Sequence, residues 1–199
     1  MKSPAAPVTR PGAPLTRFII RVVAWLPVMF ALWYLAAPVL MWPVALIVRA
    51  LADATLHDLV TGVDQVMATL TFATTLRPGH ALARGQVEVE VNLLLYSFGM
   101  PLLAALTIAA RERTWKRKLF LGYLLMLPFI AWGALADFLK NIAITASPTV
   151  TAQAGFSSMQ REAIAFAFQF GALILPPVVP AVLWVVMHRG FLERLRERI

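Results

Sequence analysis

The chain has 199 residues, of which 60% are hydrophobic and only 14% are charged. Soluble domains are about 45–50% apolar and about 25% charged, so this composition excludes a disordered chain and nearly excludes a soluble globular enzyme. Because the chain has no cysteine, it has no disulfides, no thiolate metal sites and no thiol nucleophile. The net charge of +8 would favour nucleic-acid binding in a soluble protein, but here its meaning depends on where the charges lie.

Four stretches without a charged residue are long enough to cross a bilayer, whose hydrocarbon core of about 30 Å needs about 20 residues of helix. They lie within residues 22–48, 91–110, 119–136 and 163–187. Backbone groups at that depth must bond internally, so each stretch is predicted to be a helix. We therefore predict an all-α membrane protein that forms a single membrane domain over residues 1–199. Its four-helix transmembrane bundle has spans at about 18–42, 91–110, 119–139 and 162–187.

The basic residues alternate along the chain. Most of the 18 Lys and Arg precede the first span, follow the last span or lie in the loop 111–118. Residues 49–90 and 137–162 together hold seven acidic and five basic residues. This positive-inside pattern predicts a multi-pass protein of the bacterial inner membrane with both termini in the cytoplasm. Residues 1–16 are predicted to be a flexible cytoplasmic tail. Orientation and contact with the lipid bilayer then account for the basic charge, and no nucleic-acid partner is predicted.

The segment between the first two spans carries two patterns. Residues 43–60 place apolar side chains at helical spacing with Arg49, Asp53 and Asp58 among them, which predicts a separate extracytoplasmic amphipathic helix on the membrane surface. Residues 69–76 (TLTFATTL) and 86–91 (QVEVEV) alternate with a period of two, and RPGHALARG lies between them. This pattern predicts a small β-hairpin over residues 66–91 that runs into the second span at Asn92.

A few polar side chains lie near the predicted outer ends of the spans. Charged groups at that depth usually face the bundle interior and pair, so we treat these residues as one candidate site. Asp137 and Lys140 lie three residues apart on one helix face, where they can pair. The alternative is that the long side chains merely extend to the membrane surface, with one satisfied ion pair. The candidate residues are Asn92, Tyr96, Asp137, Lys140, Gln160, Arg161 and Glu162.

No motif predicts a catalytic residue, a cofactor or a metal. The three histidines lack metal-ligand spacing, and the chain has neither a P-loop nor a G-x-S-x-G motif. Ala163, Ala167 and Gly171 place small side chains on one face of the last span, which is a signal for close helix packing.

The order of these parts resembles the core of the exosortase/archaeosortase family, membrane transpeptidases that process C-terminal sorting signals. That family has a catalytic Cys where the hairpin meets its span, an Arg at the outer end of the next span and a His near the start of the following one. Here the segment where the hairpin meets its span reads VEVNLLLYS, and Asn92 lies near the Cys position. The end of the next span reads DFLK, and Lys140 is at the Arg position. The start of the last span reads MQRE and contains no His. Without a thiolate the covalent acyl intermediate cannot form. The resemblance therefore implies an exosortase-like fold that lacks the catalytic triad.

Four stretches resemble the exosortase H-associated membrane protein family more closely. They are WLPVMFALWYLAAPVLMWP (25–43), VEVNLLLYSFGMPL (89–102), LPFIAWGALADFLK (127–140) and GFSSMQREAIAFAFQFGALILP (155–176). This resemblance implies a partner of exosortase H, the enzyme linked to surface proteins with an IPTL-type C-terminal signal. We expect a non-catalytic accessory protein that presents the substrate's C-terminal helix or stabilises the enzyme.

Two other functions stay open from the sequence. A membrane enzyme would use Lys140, Asp137 and Glu162 in place of the exosortase triad, because a desolvated lysine can act as a nucleophile or a base. A small transporter or channel subunit is the other alternative. Transporter sites lie near the middle of the membrane. Gln169 is the only polar candidate residue that approaches this depth, so the sequence disfavours transport.

Overall fold

The computed structural model describes residues 13–78 and 85–197. A long helix, α1 (Ala13–Thr55), is followed by strands β1 (Val60–Val66), β2 (Thr69–Thr74) and β3 (Glu88–Asn92). The remaining helices are α2 (Leu94–Ser97), α3 (Gly99–Ala109), α4 (Trp115–Lys140), α5 (Pro148–Ala154), α6 (Ser158–Gln169), α7 (Leu175–Met187) and α8 (Arg189–Arg196). A π-helical turn, Asn141–Thr145, extends α4, and another, Phe170–Ile174, joins α6 to α7. Helix α1 begins within the predicted tail, of which residues 1–12 lie outside the described part.

Three helices in the described part are long and apolar enough to cross a membrane: Leu15–Thr55, Trp115–Thr145 and Ser158–Met187. The fourth apolar segment, Leu94–Ala109, is shorter. At 1.5 Å per residue it rises only about 24 Å, less than the hydrocarbon core of about 30 Å. Helix α3 packs against α1, α4 and α7, and none of its residues is exposed. The second predicted span is thus an enclosed helix at the centre of the bundle, and its crossing of the membrane stays a prediction.

The predicted break at Trp42–Pro43 is wrong, because α1 continues as one helix to Thr55. Its 43 residues rise about 65 Å, roughly twice the thickness of the hydrocarbon core. The helical spacing detected after Pro43 is real, but it belongs to the last turns of α1. Val44, Val48 and Ala52 are all buried on the face that packs against the sheet. The predicted separate outer helix 43–60 is therefore the end of α1, followed by a turn into β1.

Side chains from two distant elements bond backbone carbonyls of α1 close to Pro43. A proline inside a helix lacks the N–H for one backbone hydrogen bond, so it normally bends or breaks the helix. Here Gln65 Nε2 donates to the carbonyl of Pro38 at 2.9 Å, and Tyr123 Oη donates to the carbonyl of Leu40 at 2.9 Å. The two acceptors flank the carbonyl of Val39, which is the one that lacks an N–H donor because of Pro43. The sheet and α4 are thereby attached to the same stretch of α1.

The predicted hairpin is confirmed in its pairing and in its buried face. Strand β2 pairs antiparallel with β3, and β3 leads through Leu93 into α2. Leu70, Phe72 and Val91 are fully buried. The Phe72 ring stacks on Phe138 of α4, with ring centroids 4.2 Å apart. An isolated two-stranded hairpin is only marginally stable in water. Burial of this apolar face against α1 and α4 stabilises the sheet.

Strand β1 was not predicted, and a bulge explains the omission. The sheet has the order β1-β2-β3, and the β1–β2 register shifts between Val60 and Gly62. The shift lets Val60 and Val63 both be buried although they are three residues apart. The period-two alternation that identifies a strand in a sequence is lost at such a bulge.

Replacing Arg49 by alanine is expected to weaken the attachment of β1 to α1. Arg49 Nε and Nη2 donate to the carbonyl of Val63 at 3.0 and 2.6 Å. Hydrogen bonds from a charged group contribute about 1.5–3 kcal/mol, and this one is partly exposed, so the free energy of unfolding should fall by about 1–2 kcal/mol. Thermal unfolding in detergent measures the change. The exposed Arg113 bonds to no described residue, so Arg113→Ala should change it by less than about 0.5 kcal/mol. Equal effects of the two variants would contradict the assigned role.

Candidate functional site

Asp137 and Lys140 form an ion pair at the end of α4. Lys140 Nζ lies 3.1 Å from Asp137 Oδ1, which confirms the predicted pairing, and the two side chains are only 23% and 11% exposed. Asn141 Nδ2 donates to the same carboxylate oxygen at 3.2 Å. Tyr96 lies close enough to this carboxylate to interact with it electrostatically. Three of the seven predicted site residues thus lie together, beside an asparagine that was not among the candidates.

Aromatic rings and glycines hold this polar cluster in place. Lys140 Nζ lies over the Phe168 ring, 4.4 Å from its centroid, at a distance that gives a cation–π interaction. The Tyr96 ring lies against Gly133, where an added Cβ would be 2.8 Å from the ring carbon Cγ. At Gly171 an added Cβ would be 3.1 Å from the Cα of Gly133. Of the small-residue face predicted for the last span, Gly171 is therefore in close helix packing, whereas Ala163 is exposed.

Asn92 and Gln160 have local structural roles. Asn92 Oδ1 accepts a hydrogen bond from the backbone N–H of Leu94 at 3.0 Å, where β3 turns into α2. Gln160 and Ser157 form a reciprocal capping box at the start of α6, in which each side chain bonds the other's backbone N–H. Such bonds satisfy helix donors that would otherwise lack a partner. Both residues are exposed, and neither has a hydrogen bond to the polar cluster.

Arg161 and Glu162 lie at a separate cleft. Its volume is ≈ 590 Å³, and it lies between α5, α6 and the π-helical turn Asn141–Thr145. Arg161 Nε donates to the carbonyl of Phe156 at 3.1 Å. Glu162 is exposed and forms no ion pair within the described ranges. The cleft begins just beyond Asn141, so it is adjacent to the polar cluster without including the ion pair.

The arrangement brings Asp137 to Lys140 but keeps Glu162 apart from them. A general acid or base must come within about 2.6–3.2 Å of the proton that it transfers, or one water away. Lys140 Nζ is engaged by Asp137 and by the face of Phe168, whereas Glu162 lines the adjacent cleft and forms no ion pair with Lys140. Across the described ranges, no three His, Asp or Glu side chains gather as metal ligands. The geometry is that of a mostly buried ion pair beside an open cleft.

A second polar cluster lies at the opposite end of α4. The Glu112 side chain, 15% exposed, accepts hydrogen bonds from Lys118 Nζ and, at 3.1 Å, from Arg194 Nη2. His188 is fully buried, with Nδ1 3.0 Å from the carbonyl of Trp184 and Nε2 3.7 Å from Glu112 Oε2. A carbonyl only accepts, so the proton of the neutral ring is on Nδ1. This cluster ties the loop between α3 and α4 to helix α8.

The sequence contained one signal for this second cluster. Glu112 is the single acidic residue in the basic segment RERTWKRK (111–118). A single acidic residue among basic ones can also pair with a cation from another segment. The partners, His188 and Arg194, follow only after the last span, and nothing in the local pattern pairs them with Glu112.

The chain matches a known protein family over most of its length. The family described as exosortase H-associated membrane protein matches residues 12–191. The chain belongs to this family. It is therefore a membrane protein of an exosortase-associated family, as the sequence resemblance implied. No curated protein and no solved structure matches the chain.

The range matched by the exosortase H-associated family includes both polar clusters almost completely. It contains the Asp137–Lys140 pair, the whole sheet, and the Glu112 and His188 side chains. It ends at Phe191, before Arg194. The pairing of Glu112 with α8 thus depends in part on a residue beyond the matched range.

The cluster around Glu112 predicts that this family member loses stability in acid. Burial lowers the pKa of His188 below its ordinary value of about 6.5, and nearby Lys118 acts in the same direction. The bond to the Trp184 carbonyl and the charge of Glu112 oppose this lowering but do not cancel it. Between the folded-state pKa and about 6.5 the unfolded chain binds more protons than the folded one. The free energy of unfolding is therefore fully retained above about pH 6.5 and falls as the pH drops through the folded-state pKa.

Burial of Glu112 acts to raise the pKa of its carboxyl group. Lys118, His188 and Arg194 outweigh this effect, so the net pKa lies below its ordinary value. Its contribution to stability is present above the unfolded-state value of about 4.3 and is lost as the pH falls through the lower folded-state pKa. The two groups thus act in different pH windows.

Thermal unfolding at pH 8, 7, 6 and 5.5 isolates the contribution of His188, because that of Glu112 changes only below this range. The melting temperature of the wild type should be flat from pH 8 to 7 and should fall at pH 6 and below. His188→Gln should melt lower at every pH but with a flatter dependence between pH 7 and 5.5, because the titrating ring is gone. The same slope in both proteins would show that another group is responsible.

Proposed function

We propose that the chain is a non-catalytic, multi-pass inner-membrane partner of an exosortase, which acts in the sorting of surface proteins with an IPTL-type C-terminal signal. Membership of a family described as exosortase H-associated carries this proposal. In the proposed topology both termini are cytoplasmic, four spans cross the bilayer, and the sheet and the Asp137–Lys140 pair face the other side. The exosortase supplies the chemistry, and this chain supplies a rigid membrane surface beside it.

Two observations support the non-catalytic part of the proposal. The chain contains no cysteine, so it cannot itself form the thioester of a sortase-type reaction. Lys140 is at the position that corresponds to the arginine of the exosortase/archaeosortase family, and its side chain contacts Asp137 and Phe168. A side chain fixed by two partners and mostly buried suits a structural role better than a role in proton or acyl transfer.

We propose that the cleft beside the polar cluster is the contact surface for the exosortase or for the C-terminal segment of its substrate. The cleft is lined mainly by small apolar residues, with Arg161 and Glu162 at its edge. Glu162 has no ion-pair partner among residues 13–78 and 85–197, so its charge is available to another chain. An apolar cleft with a few charged groups at its rim is a common form of binding site for a peptide.

Deletion and co-purification test the proposal at the level of the whole protein. A tagged copy should co-purify with the exosortase from mild detergent, and the exosortase should be retained equally by a tagged form of Arg113→Ala. Deletion of the gene should leave the IPTL-type signal uncleaved or lower the amount of exosortase. If cleavage and enzyme level are both unchanged in the deletion strain, the proposed partnership is wrong.

An exchange of charges tests the cleft itself. Arg161→Glu combined with Glu162→Arg keeps the net charge but reverses both charges at the cleft, so it should reduce recovery of the exosortase several-fold. The matched control exchanges Arg77→Glu and Glu88→Arg, two exposed residues near the sheet, and should leave recovery unchanged. Equal recovery with both exchanges would remove the cleft from the proposal while leaving the partnership itself standing.

A further inference from the structure

A small cavity lies where α1 begins, α3 ends and α8 passes beside them. Its volume is ≈ 240 Å³. Arg17 and Arg21 from α1 and Arg194 from α8 contribute its charged groups. The two arginines of α1 are four residues apart, so they lie on the same face of the helix, one turn apart. The rest of the lining is apolar and consists of Phe18, Ala109, Phe191 and Leu195.

The three guanidinium groups at this cavity carry more positive charge than the surrounding carboxylates neutralise. Arg194 Nη2 lies 3.1 Å from Glu112 Oε1, but the same carboxylate also pairs with Lys118. Arg17 and Arg21 form no ion pair with any carboxylate in residues 13–78 and 85–197. Like charges gathered around one cavity repel each other unless an anion lies between them. The cavity therefore favours a negatively charged occupant.

The shape of the lining points to an amphiphilic occupant. The Phe18 ring stacks on Trp184, with centroids 5.6 Å apart, and lies 5.2 Å from the Phe191 ring. Guanidinium groups bind phosphate oxygens through two parallel N–H bonds. A free phosphate would gain nothing from the aromatic floor. The glycerol and first methylenes of a phospholipid would bury apolar area on it.

The cavity also lies at the right depth for a lipid headgroup. The apolar helix Leu15–Thr55 begins beside the cavity, and the helices Leu94–Ala109 and Ser158–Met187 end beside it. The cavity therefore lies at one boundary of the membrane, in either orientation of the protein. Helix α8 follows at once, with Phe191 and Leu195 turned to the cavity and charged residues along the rest of the helix. Helices of this composition lie in the plane of the membrane interface. Basic pockets at such a boundary bind the headgroups of anionic lipids.

We propose that Arg17, Arg21 and Arg194 bind the phosphate group of an anionic phospholipid. The phosphate lies between the three guanidinium groups, and the glycerol lies over Phe18 and Phe191. The bound lipid links the first turns of α1 to α8, so it stabilises the packing of the chain's two ends. This site does not depend on the proposed partnership with an exosortase, and each can fail without the other.

Thermal unfolding of the full chain in neutral detergent tests this site with three probes. They are dioleoyl phosphatidylglycerol, dioleoyl phosphatidylcholine and sodium phosphate at equal phosphate concentration. A ligand at about 100 times its Kd should raise the melting temperature of a chain of this size by roughly 5–10 °C. We expect this shift with phosphatidylglycerol, and much smaller shifts with the other two probes.

Two variants with the same loss of charge locate the site. Arg17→Gln combined with Arg21→Gln should weaken phosphatidylglycerol binding at least about tenfold. Arg113→Gln combined with Arg117→Gln changes two exposed residues, one before α4 and one in its first turn, that do not line the cavity, so this variant should bind as the wild type does. If the first variant does not fold, Arg17→Lys with Arg21→Lys keeps the charge but loses the paired N–H bonds, and should bind more weakly than the wild type.

Three outcomes would overturn the assignment. The first is an equal response of the Arg17/Arg21 and Arg113/Arg117 variants, which would mean that lipid contacts the basic segments without a site. The second is an equal response to phosphatidylcholine, which would mean that the negative charge is not recognised. The third is an equal response to sodium phosphate, which would make the cavity a site for a soluble anion.

Discussion

Replacing Gly99 by alanine is expected to remove most of the correctly folded protein from the membrane. A Cβ at this position would overlap the backbone carbonyl oxygen of Pro176 and lie 2.7 Å from Cγ of Pro180. Both contacts belong to a stiff, proline-rich helix, so neither can move aside cheaply. Overpacking a tight core costs typically 1–3 kcal/mol, and we expect about 3 kcal/mol here because a backbone atom is involved.

Thermal unfolding in detergent and the yield of inserted protein measure this effect. Gly62→Ala is the matched control, because nothing lies within 4 Å of a Cβ added there. Its backbone is not in the left-handed region, so alanine should be tolerated and the melting temperature should stay within a few degrees. A Gly99→Ala protein as stable as the control would show that α3 and α7 are further apart than described.

The proline cluster that faces Gly99 also explains the shape of the last long helix. Pro176, Pro177 and Pro180 lie within α7, and the irregularity of the helix lies just before them, in the π-helical turn Phe170–Ile174. Two successive prolines lack the N–H groups for two carbonyls of the preceding turn. A π-helical turn changes which donors reach those carbonyls, and such turns occur as single bulges within α-helices. The effect of the prolines therefore falls on the turn that precedes them.

The parts of the fold that the sequence predicted are those set by local patterns. Runs without charge identified the long helices, and period-two alternation identified β2 and β3, because both patterns depend on near neighbours. The attachment of α1 near Pro43 to the sheet and to α4 is made instead by Gln65 and Tyr123, which bond carbonyls of α1 from 27 and 83 residues away. A pattern read along the chain contains no information about such donors. The same limit applies to β1, whose alternation is broken by a bulge.

The candidate site shows a second limit, which concerns helix rotation. A predicted topology gives the depth of each residue in the membrane. It placed the seven candidate residues at about the same depth. It does not give the direction in which each side chain leaves its helix. Asp137, Lys140 and Tyr96 face one another, whereas Arg161 and Glu162 line the adjacent cleft. The Asp137–Lys140 pair was predictable because a separation of three residues fixes both depth and direction on one helix.

Removal of Lys140 is expected to destabilise the protein because it leaves Asp137 without its cation. The carboxylate is only 11% exposed and would retain the neutral donor Asn141. Breaking a buried ion pair from one side costs about 3–5 kcal/mol, and the remaining donor reduces our expectation for Lys140→Ala to about 3 kcal/mol. Arg117→Ala, on an exposed part of the same helix, should cost less than about 0.5 kcal/mol. Thermal unfolding in detergent compares the two variants.

The double variant Asp137→Asn with Lys140→Met separates a structural pair from a chemical one. Replacing a buried ion pair by neutral groups of similar size is often neutral for stability, so this variant should recover most of what Lys140→Ala loses. If the pair only holds α4 and its neighbours in place, sorting of the surface protein should recover together with the melting temperature. A double variant that folds like the wild type but does not support sorting would instead show that these two side chains take part in the chemistry. That outcome would favour the membrane-enzyme alternative over an accessory role.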